Sequence, residues 1–259
     1  MTDASGPDAR VAASVAGRER WQPAVIAAIV PLTPAVVSVR LRPQHTRPFL
    51  AGQHVDVRLT AEDGYRAQRS YSVASAPDEG DTIELVIERL DDGEVSTYFH
   101  DSAAPGDTVE IAGPHASYFV WRPGVDGSVL LAAGGSGVAP FLSMVRQRAR
   151  LADPTPMLLL YSARTWGDVI ARDELLAHER RQSGFTACFC LTRDVTRRSS
   201  DFARRVDQAV IDDMLARLGG TPTHTFVCGA NTFVGAIADL LLAAGVPAGS
   251  VRTERYGGD

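Results

Sequence analysis

The stretch LLAAGGSGVAPFLSMV, residues 130–145, joins an apolar run, a glycine-rich loop and a second apolar segment that opens near Pro140. This order predicts a buried strand, a tight loop and a helix, because proline suits the first helical turn. Glycines let backbone N–H groups approach a ligand, and a helix N-terminus favours an anionic diphosphate. Gly135 and Gly137 form G-x-G, but Pro140 stands where the dinucleotide fingerprint has its third glycine. A tight turn without a ligand is the alternative interpretation.

The alternation of apolar runs and amphipathic segments continues to the end of the chain. The runs are SVLLAA, MLLLYS, TACFCL and HTFVCG, and the segments that follow them are PFLSMVRQRARL, DVIARDELLAHERRQ, DQAVIDDMLARL and NTFVGAIADLLLAAG. Strands that alternate with helices predict a parallel sheet with helices on its faces.

The pattern toward the N-terminus is different. Short runs separated by turn residues fill residues 21–121: AVIAAIV, VVSVRLRP, QHVDVRL, RSYSVAS, IELVIERL and DTVEIAG. Such spacing predicts an antiparallel β-barrel or sandwich. We interpret RPGVDG, residues 122–127, as a linker, because it carries a proline and two glycines between apolar runs. Residues 1–17 lack apolar periodicity and are predicted to be a disordered arm.

Composition limits the class of protein. With 45% apolar residues the 259-residue chain can bury hydrophobic cores, and its net charge of −5 argues against binding to nucleic acid or anionic membranes. The run AVIAAIV is far too short to span a membrane, and no leader precedes it, so we expect a cytoplasmic monomer. Three cysteines are too few for a disulfide framework or an iron–sulfur cluster, and the histidines show no metal-ligand spacing.

The strand RSYSVASAP, residues 69–77, carries side chains that suit a ligand. Residues two apart share a face, so Arg69 and Tyr71 point together while Ser70 and Ser72 point the opposite way. A guanidinium suits a phosphate and a phenol ring stacks on a flat heteroaromatic ring. The alternative is a barrel strand with an exposed salt bridge and a core tyrosine.

The chain as a whole resembles the ferredoxin–NADP(H) reductase superfamily of flavin oxidoreductases. The resemblance extends over residues 21–258 and rests on motifs in the family order: FLAGQHVDV, RSYS, GEVSTYF, GGSGVAP, FVCG and ERY. It implies an N-terminal antiparallel Greek-key β-barrel that binds the flavin, at residues 18–121. A C-terminal parallel α/β domain, at residues 128–259, would bind the pyridine nucleotide.

The resemblance also implies residue roles. Arg69 would bind the flavin diphosphate, Tyr71 would stack on the isoalloxazine and Ser72 would lie near its N5 atom. As cofactor-binding residues we predict Arg69, Ser70, Tyr71, Ser72, Val86, Gly93, Val95, Ser96, Gly134, Gly135, Ser136, Gly137, Pro140, Cys228 and Gly229. As catalytic residues we predict Ser72, Cys228, Glu254 and Tyr256, with Glu254 helping to hold the Ser72 hydroxyl and no thiolate chemistry at Cys228.

Two departures from the family pattern bear on these roles. The loop GPHASYF, residues 113–119, lacks the second glycine of the family's GPxGxF and is one residue longer. Because this loop often distinguishes how the adenine end of the flavin is held, the departure weakens the preference for FAD over FMN without removing it. Three residues follow Tyr256, which is therefore not terminal as in the plant-type enzymes. Tyr256 either stacks on the open flavin face or is a packed aromatic near the chain end.

The arginines that follow two predicted strands favour NADPH. Arg164, Arg193 and Arg205 lie where bacterial NADPH-using members of the resembled family carry arginines. A 2′-phosphate needs such cations, whereas NADH does not. The alternative is a solvated basic rim, with NADH as the substrate.

These features predict an FAD-containing reductase that takes a hydride from NAD(P)H. Since the chain cannot ligate an iron–sulfur cluster, the electron acceptor should be separate: a ferredoxin, a flavodoxin or a partner oxidoreductase. One alternative is a reductase of free flavin, quinone or another small oxidant. Another is a flavin-binding sensor or subunit without catalytic activity, although a sensor has no need of the GGSGVAP loop.

Overall fold

Two β-sheets organise the chain in the computed structural model, which describes residues 21–256. The predicted disordered arm, residues 1–17, lies outside the described residues. None of the helices between residues 21 and 256 combines the length and apolar character that crossing a bilayer requires.

The first sheet has six antiparallel strands in the order β4-β3-β6-β1-β2-β5. Its strands are β1 Gln22–Thr33, β2 Val36–Pro43, β3 His54–Thr60, β4 Arg66–Ser72, β5 Ile83–Glu88 and β6 Thr108–Ala112. An antiparallel bridge between Val73 and Leu85 joins the two edges. This closure, with β6 inserted between β1 and β3, confirms the predicted antiparallel barrel.

A short helix, α1 Glu94–Asp101, follows β5 and caps the barrel. Val95 and Phe99, four residues apart, are buried with Val55, Val57 and the other apolar residues of the barrel core. The sequence motif GEVSTYF predicted cofactor contacts here but no helix, because eight residues hold too few turns to show a clear period.

The second sheet has five parallel strands in the order β11-β10-β7-β8-β9. Its strands are β7 Val129–Gly134, β8 Met157–Ala163, β9 Phe185–Leu191, β10 His224–Ala230 and β11 Val251–Tyr256. The helices are α2 Ala139–Arg150, α3 Arg172–Arg181, α4 Gln208–Leu218 and α5 Asn231–Ala243. The parallel α/β prediction is confirmed.

Local sequence explains where these helices begin. Pro140 lies in the first turn of α2. The Asp207 carboxylate accepts the Val210 N–H at the start of α4, and Gly219 ends that helix with φ of 85°. The predicted helix DVIARDELLAHERRQ begins only at Arg172, because a separate 3-10 turn at Trp166–Asp168 and the left-handed Ala171 precede it.

The two sheets share a hydrophobic core. Phe119 and Trp121, which end the first part of the chain, are buried against Phe141 and Phe226 of the second part. Arg146 on α2 reaches across to the barrel, where it donates to the Ala74 carbonyl and to Glu84. The predicted linker residues 122–127 lie directly after this packed segment, and the domain boundaries remain a prediction.

Candidate active site

A cleft of about 410 Å³ lies between the barrel and the parallel sheet. Both sheets contribute to its lining, and the cofactor-binding residues predicted from the sequence lie in both sheets' parts of the chain. Twelve of the residues predicted from sequence line it: Arg69, Ser70, Tyr71, Ser72, Val86, Gly93, Ser96, Ser136, Gly137, Pro140, Cys228 and Tyr256.

Strand β4 brings a cation and an aromatic ring to the cleft. Arg69 is exposed and, among residues 21–256, no carboxylate lies within ion-pair distance of its guanidinium. Tyr71 is half-buried, and burial raises the pKa of its phenol, which therefore stays neutral. The Ser70 hydroxyl donates to Asp56 on the neighbouring strand. Arg69 thus has the free charge that an anionic ligand requires.

The start of helix α1 forms the next part of the cleft wall. Gly93 caps the helix, and a Cβ at this position would overlap the Ser96 hydroxyl and lie 2.9 Å from the Leu90 side chain. Ser96 donates to the Gly93 carbonyl and accepts the Leu90 N–H, at 2.9 and 3.2 Å. Helix N-termini with free N–H groups bind phosphate. Together with Arg69, Tyr71 and the cleft, this donor set fits the diphosphate and ring of FAD.

The glycine loop, residues 134–137, contributes Ser136 and Gly137 to the opposite wall. Gly135 has φ of +57°, which favours glycine, and a Cβ on Gly137 would overlap the Cys228 carbonyl at the end of β10. Gly134 and Gly229 both face the ring of Phe233, to which added Cβ atoms would lie 2.8 and 2.7 Å away. These glycines allow β7, β10 and α5 to approach one another. Close packing is therefore a reason for glycine at these positions, whether or not a ligand binds there.

Tyr256 joins strand β11 to the glycine loop. Its hydroxyl donates to the Gly134 carbonyl at 2.6 Å and accepts the Gly137 N–H at 3.3 Å. Burial raises the pKa of this phenol to about 12. Tyr256 also lines the cleft that Tyr71 lines. It is therefore a packed aromatic that also lines the cleft, and its stacking on the flavin stays a prediction.

Cys228 and Glu254 are adjacent on parallel strands β10 and β11. Burial, and then the Glu254 charge, raise the pKa of the Cys228 thiol well above its usual value. The thiol therefore stays protonated at neutral pH, and the role of Cys228 beside the nicotinamide stays a prediction.

The prediction that Glu254 holds the Ser72 hydroxyl differs from the structure. No hydrogen bond joins these two side chains among the residues described, and the Glu254 carboxyl group lies 3.9 Å from His54 Nδ1 instead. Glu254 lines a separate groove of about 740 Å³ with Tyr118, whereas Tyr256 lines the cleft. Strand alternation alone would place these two residues on one face, so the packing around β11 decides their different surroundings. Burial raises the pKa of Glu254 to about 7.

A second histidine extends this groove cluster. The His54 and His115 rings lie 5.2 Å apart, and His115 Nε2 lies 3.1 Å from Asp56. Burial lowers the pKa of His54, and His115 adds to the effect. His54 belongs to the FLAGQHVDV motif of the sequence, whereas His115 was not predicted and reaches the barrel through the turn at Gly113 and Pro114.

The predicted arginines do not line the cleft, and two of them, Arg164 and Arg193, lie at the carboxyl ends of β8 and β9. The Arg193 N–H donates to the Arg164 carbonyl at 2.8 Å. Cys190 of β9 forms a parallel bridge with Phe202. Arg193 lies three residues after Cys190, and Arg205 lies three residues after Phe202. All three are exposed and, in the described part of the chain, no carboxylate pairs with their side chains.

An arginine and tryptophan cluster that the sequence did not predict lies beside them. Arg172 and Arg197 lie over the Trp166 ring, at 5.1 and 5.5 Å from its centroid. The carboxyl ends of parallel strands are the usual place for nucleotides in such sheets. This corner of the sheet therefore combines exposed cations with a flat aromatic ring.

Four further predicted residues do not line the cleft. The Val95 side chain is buried in the barrel core, and Gly134, Gly135 and Gly229 lie behind the cleft wall. Glu88, Leu90 and Ala139 line the cleft but were not predicted. Glu88 lies two residues after Val86 on the same strand, so the two side chains share a face. The sequence could therefore have predicted that Glu88 lines the cleft beside Val86.

No group of three or more metal-ligating side chains occurs within residues 21–256. Residues 32–119 match the family model for the oxidoreductase FAD-binding domain, and residues 131–239 match that for the oxidoreductase NAD-binding domain. The first match lies within the barrel part of the chain and the second within the parallel-sheet part, and each includes residues that line the cleft.

Curated relatives span this whole arrangement. Ferredoxin–NADP reductase B of Sorangium cellulosum is 34% identical over 238 residues, which cover 89% of this chain and 96% of the relative. The propane 2-monooxygenase reductase component of Mycolicibacterium goodii is 29% identical over 226 residues, which cover 86% of this chain. The chain spans 64% of the length of that second relative.

Solved structures show the same fold at lower identity. A ferredoxin NADP⁺ reductase from Neisseria gonorrhoeae with bound FAD and NADP has a TM-score of 0.77 and 22% identity, over 92% of this chain and 99% of that one. The FAD/NAD-binding domain of a nitric oxide dioxygenase from Vibrio cholerae has a TM-score of 0.79 and 19% identity, over 93% and 100% of the two chains. The cleft, both domain matches and the Sorangium relative show that the chain belongs to the ferredoxin–NADP reductase family of FAD- and NAD(P)-binding oxidoreductases.

Proposed function

We propose that the protein is a reductase that takes electrons from NADPH through FAD and delivers them to a separate electron-acceptor protein. The single observation that carries this proposal is the shared cleft: a flavin-type wall on the barrel faces a pyridine-nucleotide-type wall on the parallel sheet. A flavin-binding sensor would need only the first wall.

The residues of the barrel wall would bind FAD in distinct ways. Arg69 and the N-terminal amides of α1 would hold its diphosphate, Tyr71 would stack on its ring, and the Ser72 hydroxyl would donate a hydrogen bond to the ring edge. Bound FAD supplies the redox chemistry, since it accepts a hydride and releases electrons singly or in pairs. The residues of the chain bind and orient the two cofactors and exclude water from the cleft.

The parallel sheet would orient the nucleotide. The glycine loop and the N-terminus of α2 would receive its diphosphate, while Cys228 and Tyr256 would border the nicotinamide. Arg164, Arg193 and Arg205 would bind the 2′-phosphate, and Trp166 offers an aromatic surface beside them. The unpaired arginines favour NADPH over NADH. The Glu254 carboxyl group, whose pKa is about 7, can hold or release a proton near neutral pH.

The cysteines of the chain bear on the identity of the electron acceptor. The three cysteines are free and buried, and they are too few to ligate an iron–sulfur cluster. The Sorangium relative is named a ferredoxin–NADP reductase, and it has nearly the same length as the matched region. We therefore infer a ferredoxin or flavodoxin as acceptor. Free cysteines also suit a reducing compartment, and we place the reaction in the cytoplasm.

Ionic strength distinguishes a protein acceptor from a small oxidant. Turnover with NADPH should be measured with a ferredoxin, a flavodoxin and a neutral quinone while NaCl rises from about 20 to about 500 mM. We expect turnover with the protein acceptor to fall steeply, because charges guide its encounter, and quinone turnover to stay level. Fast reduction of quinone or free flavin, with neither protein reduced, would reject the protein acceptor and favour a small-molecule reductase.

A further inference from the structure

An acidic side chain from the barrel lies against the glycine loop. Glu88 is the last residue of β5, and the Ser136 hydroxyl donates to its Oε2 atom at 2.7 Å. A Cβ placed on Gly135 would lie 3.9 Å from the same oxygen. The carboxylate of one sheet therefore contacts two consecutive residues of the loop that belongs to the other sheet.

The charge of Glu88 has no cationic partner close by. Within residues 21–256, no arginine or histidine lies within ion-pair distance of Glu88, and Ser136 is its only side-chain hydrogen-bond partner. Arg69 lines the same cleft, on strand β4. A carboxylate without an ion pair, placed beside a loop that suits an anion, repels an approaching phosphate.

The loop groups that Glu88 and Tyr256 occupy are the ones a diphosphate would use. The Ser136 hydroxyl donates to Glu88, and the Gly137 N–H donates to the Tyr256 hydroxyl. Loop N–H and hydroxyl groups at a helix N-terminus are typical phosphate donors. A bound nucleotide and the Glu88 carboxylate therefore compete for the same donor while both carry negative charge.

We propose that Glu88 is an affinity determinant that weakens binding of the pyridine nucleotide, because its carboxylate holds Ser136 and repels the diphosphate. This inference rests on the proposed function, since it concerns the same cleft. It makes the affinity of the nucleotide depend on a residue of the flavin-binding sheet. A weaker complex also releases the oxidised nucleotide faster, as affinity differences within one site lie mainly in the dissociation rate.

The test is titration of the oxidised, FAD-loaded protein with NADP⁺ by calorimetry. Glu88→Gln keeps an acceptor for Ser136 and removes only the charge, so we expect Kd to fall about three- to tenfold. Asp92→Asn is the matched control, because Asp92 is exposed in the next loop and does not line the cleft. We expect it to change Kd by less than about twofold.

Salt provides a second readout that a purely structural role would not change. The ratio of wild-type Kd to Glu88→Gln Kd should shrink as NaCl rises from about 20 to about 500 mM, because salt screens the repulsion. FAD content is measured for every variant, and Glu88→Ala replaces Glu88→Gln if the latter loses FAD. If the FAD-retaining variant has an unchanged or raised Kd, or if the ratio of the two Kd values does not change with NaCl, the inference about Glu88 is wrong and the proposed function is unaffected. Failure of the wild type to bind NADP⁺ or NAD⁺ overturns the proposed function with it.

Discussion

Arg69 is an exposed cation on the cleft wall, and no carboxylate of residues 21–256 pairs with it. An arginine in this position gains most from a bound phosphate, because a charge-assisted hydrogen bond contributes more than a neutral one. The side chain therefore has more to do with cofactor retention than with the stability of the barrel.

Arg69→Ala should weaken FAD binding by about 1.5 to 3 kcal/mol, or roughly tenfold to a hundredfold in Kd. Arg66→Ala is the control, since Arg66 is exposed on the same strand but does not line the cleft. The Kd is measured by reconstituting FAD-depleted protein and following flavin fluorescence. Equal losses in the two variants would indicate a general charge effect instead of a phosphate contact.

Glu254 is a residue whose burial opposes folding at high pH. Burial raises its pKa from 4.5 to about 7, so between these values the folded protein holds a proton that the unfolded chain has released. Stability contributed by this group therefore falls as the pH rises through that window.

Glu254→Gln removes this titration. The variant should gain about 1 to 3 kcal/mol relative to wild type at about pH 8 and almost nothing at about pH 4. Urea unfolding of the FAD-loaded proteins at both pH values checks this difference. A gain that is the same at both values would show that Glu254 does not titrate as its burial requires.

At the scale of elements, the carboxyl ends of β8 and β9 carry the arginines that we assign to the 2′-phosphate. Arg193→Gln should raise the Michaelis constant for NADPH by about tenfold and leave that for NADH nearly unchanged, since only NADPH has the extra phosphate. Arg180→Gln, at an exposed position in the last turn of α3, is the control. Equal increases in the Michaelis constants for NADPH and NADH would show that these arginines do not bind the 2′-phosphate and form a solvated basic rim instead.

Much of the arrangement of elements was predictable. Alternating runs such as VVSVRLRP and continuous runs such as MLLLYS identified the strands of both sheets, because burial on one face or two faces leaves different periods. Helix α1 was missed, since its apolar pair Val95 and Phe99 makes a single helical repeat. The late start of α3 depends on the Thr165 and Asp168 capping box, a contact that periodicity does not show.

The contacts across the cleft were beyond sequence reasoning. The Ser136 and Glu88 side chains are 48 residues apart, and Tyr256 and Gly134 are 122 residues apart. Local patterns identify which residues face a ligand, but the packing of one sheet on the other decides which of them meet. The same reason explains Glu254, which the packing of one sheet on the other places 3.9 Å from His54 of the barrel.

At the scale of the whole molecule, Arg146 links the two sheets through hydrogen bonds and ion pairs. It donates two hydrogen bonds to Glu174, at 2.6 and 2.8 Å, and one to Glu84 of the barrel, at 3.0 Å. Glu84 in turn accepts the Ser38 hydroxyl. This network and the shared hydrophobic core both join the two walls of the cleft.

Arg146→Met should destabilise the protein by about 3 to 5 kcal/mol, because it leaves the buried Glu84 without its cation. Arg150→Met, which removes exposed contacts to the Pro77 and Asp78 carbonyls, should cost about 1 kcal/mol or less. Urea unfolding at neutral pH measures both. Similar losses would mean that the buried network does not distinguish Arg146 from a surface arginine.

The central claim is that one cleft brings FAD and NADPH together. The most direct test is anaerobic titration of the purified protein with NADPH, followed by its visible spectrum. The account predicts a yellow protein with one non-covalent FAD, whose flavin absorption bleaches with about one equivalent of NADPH. A colourless protein that neither FAD nor FMN reconstitutes, or a bound flavin that NADPH and NADH both leave oxidised, would contradict it.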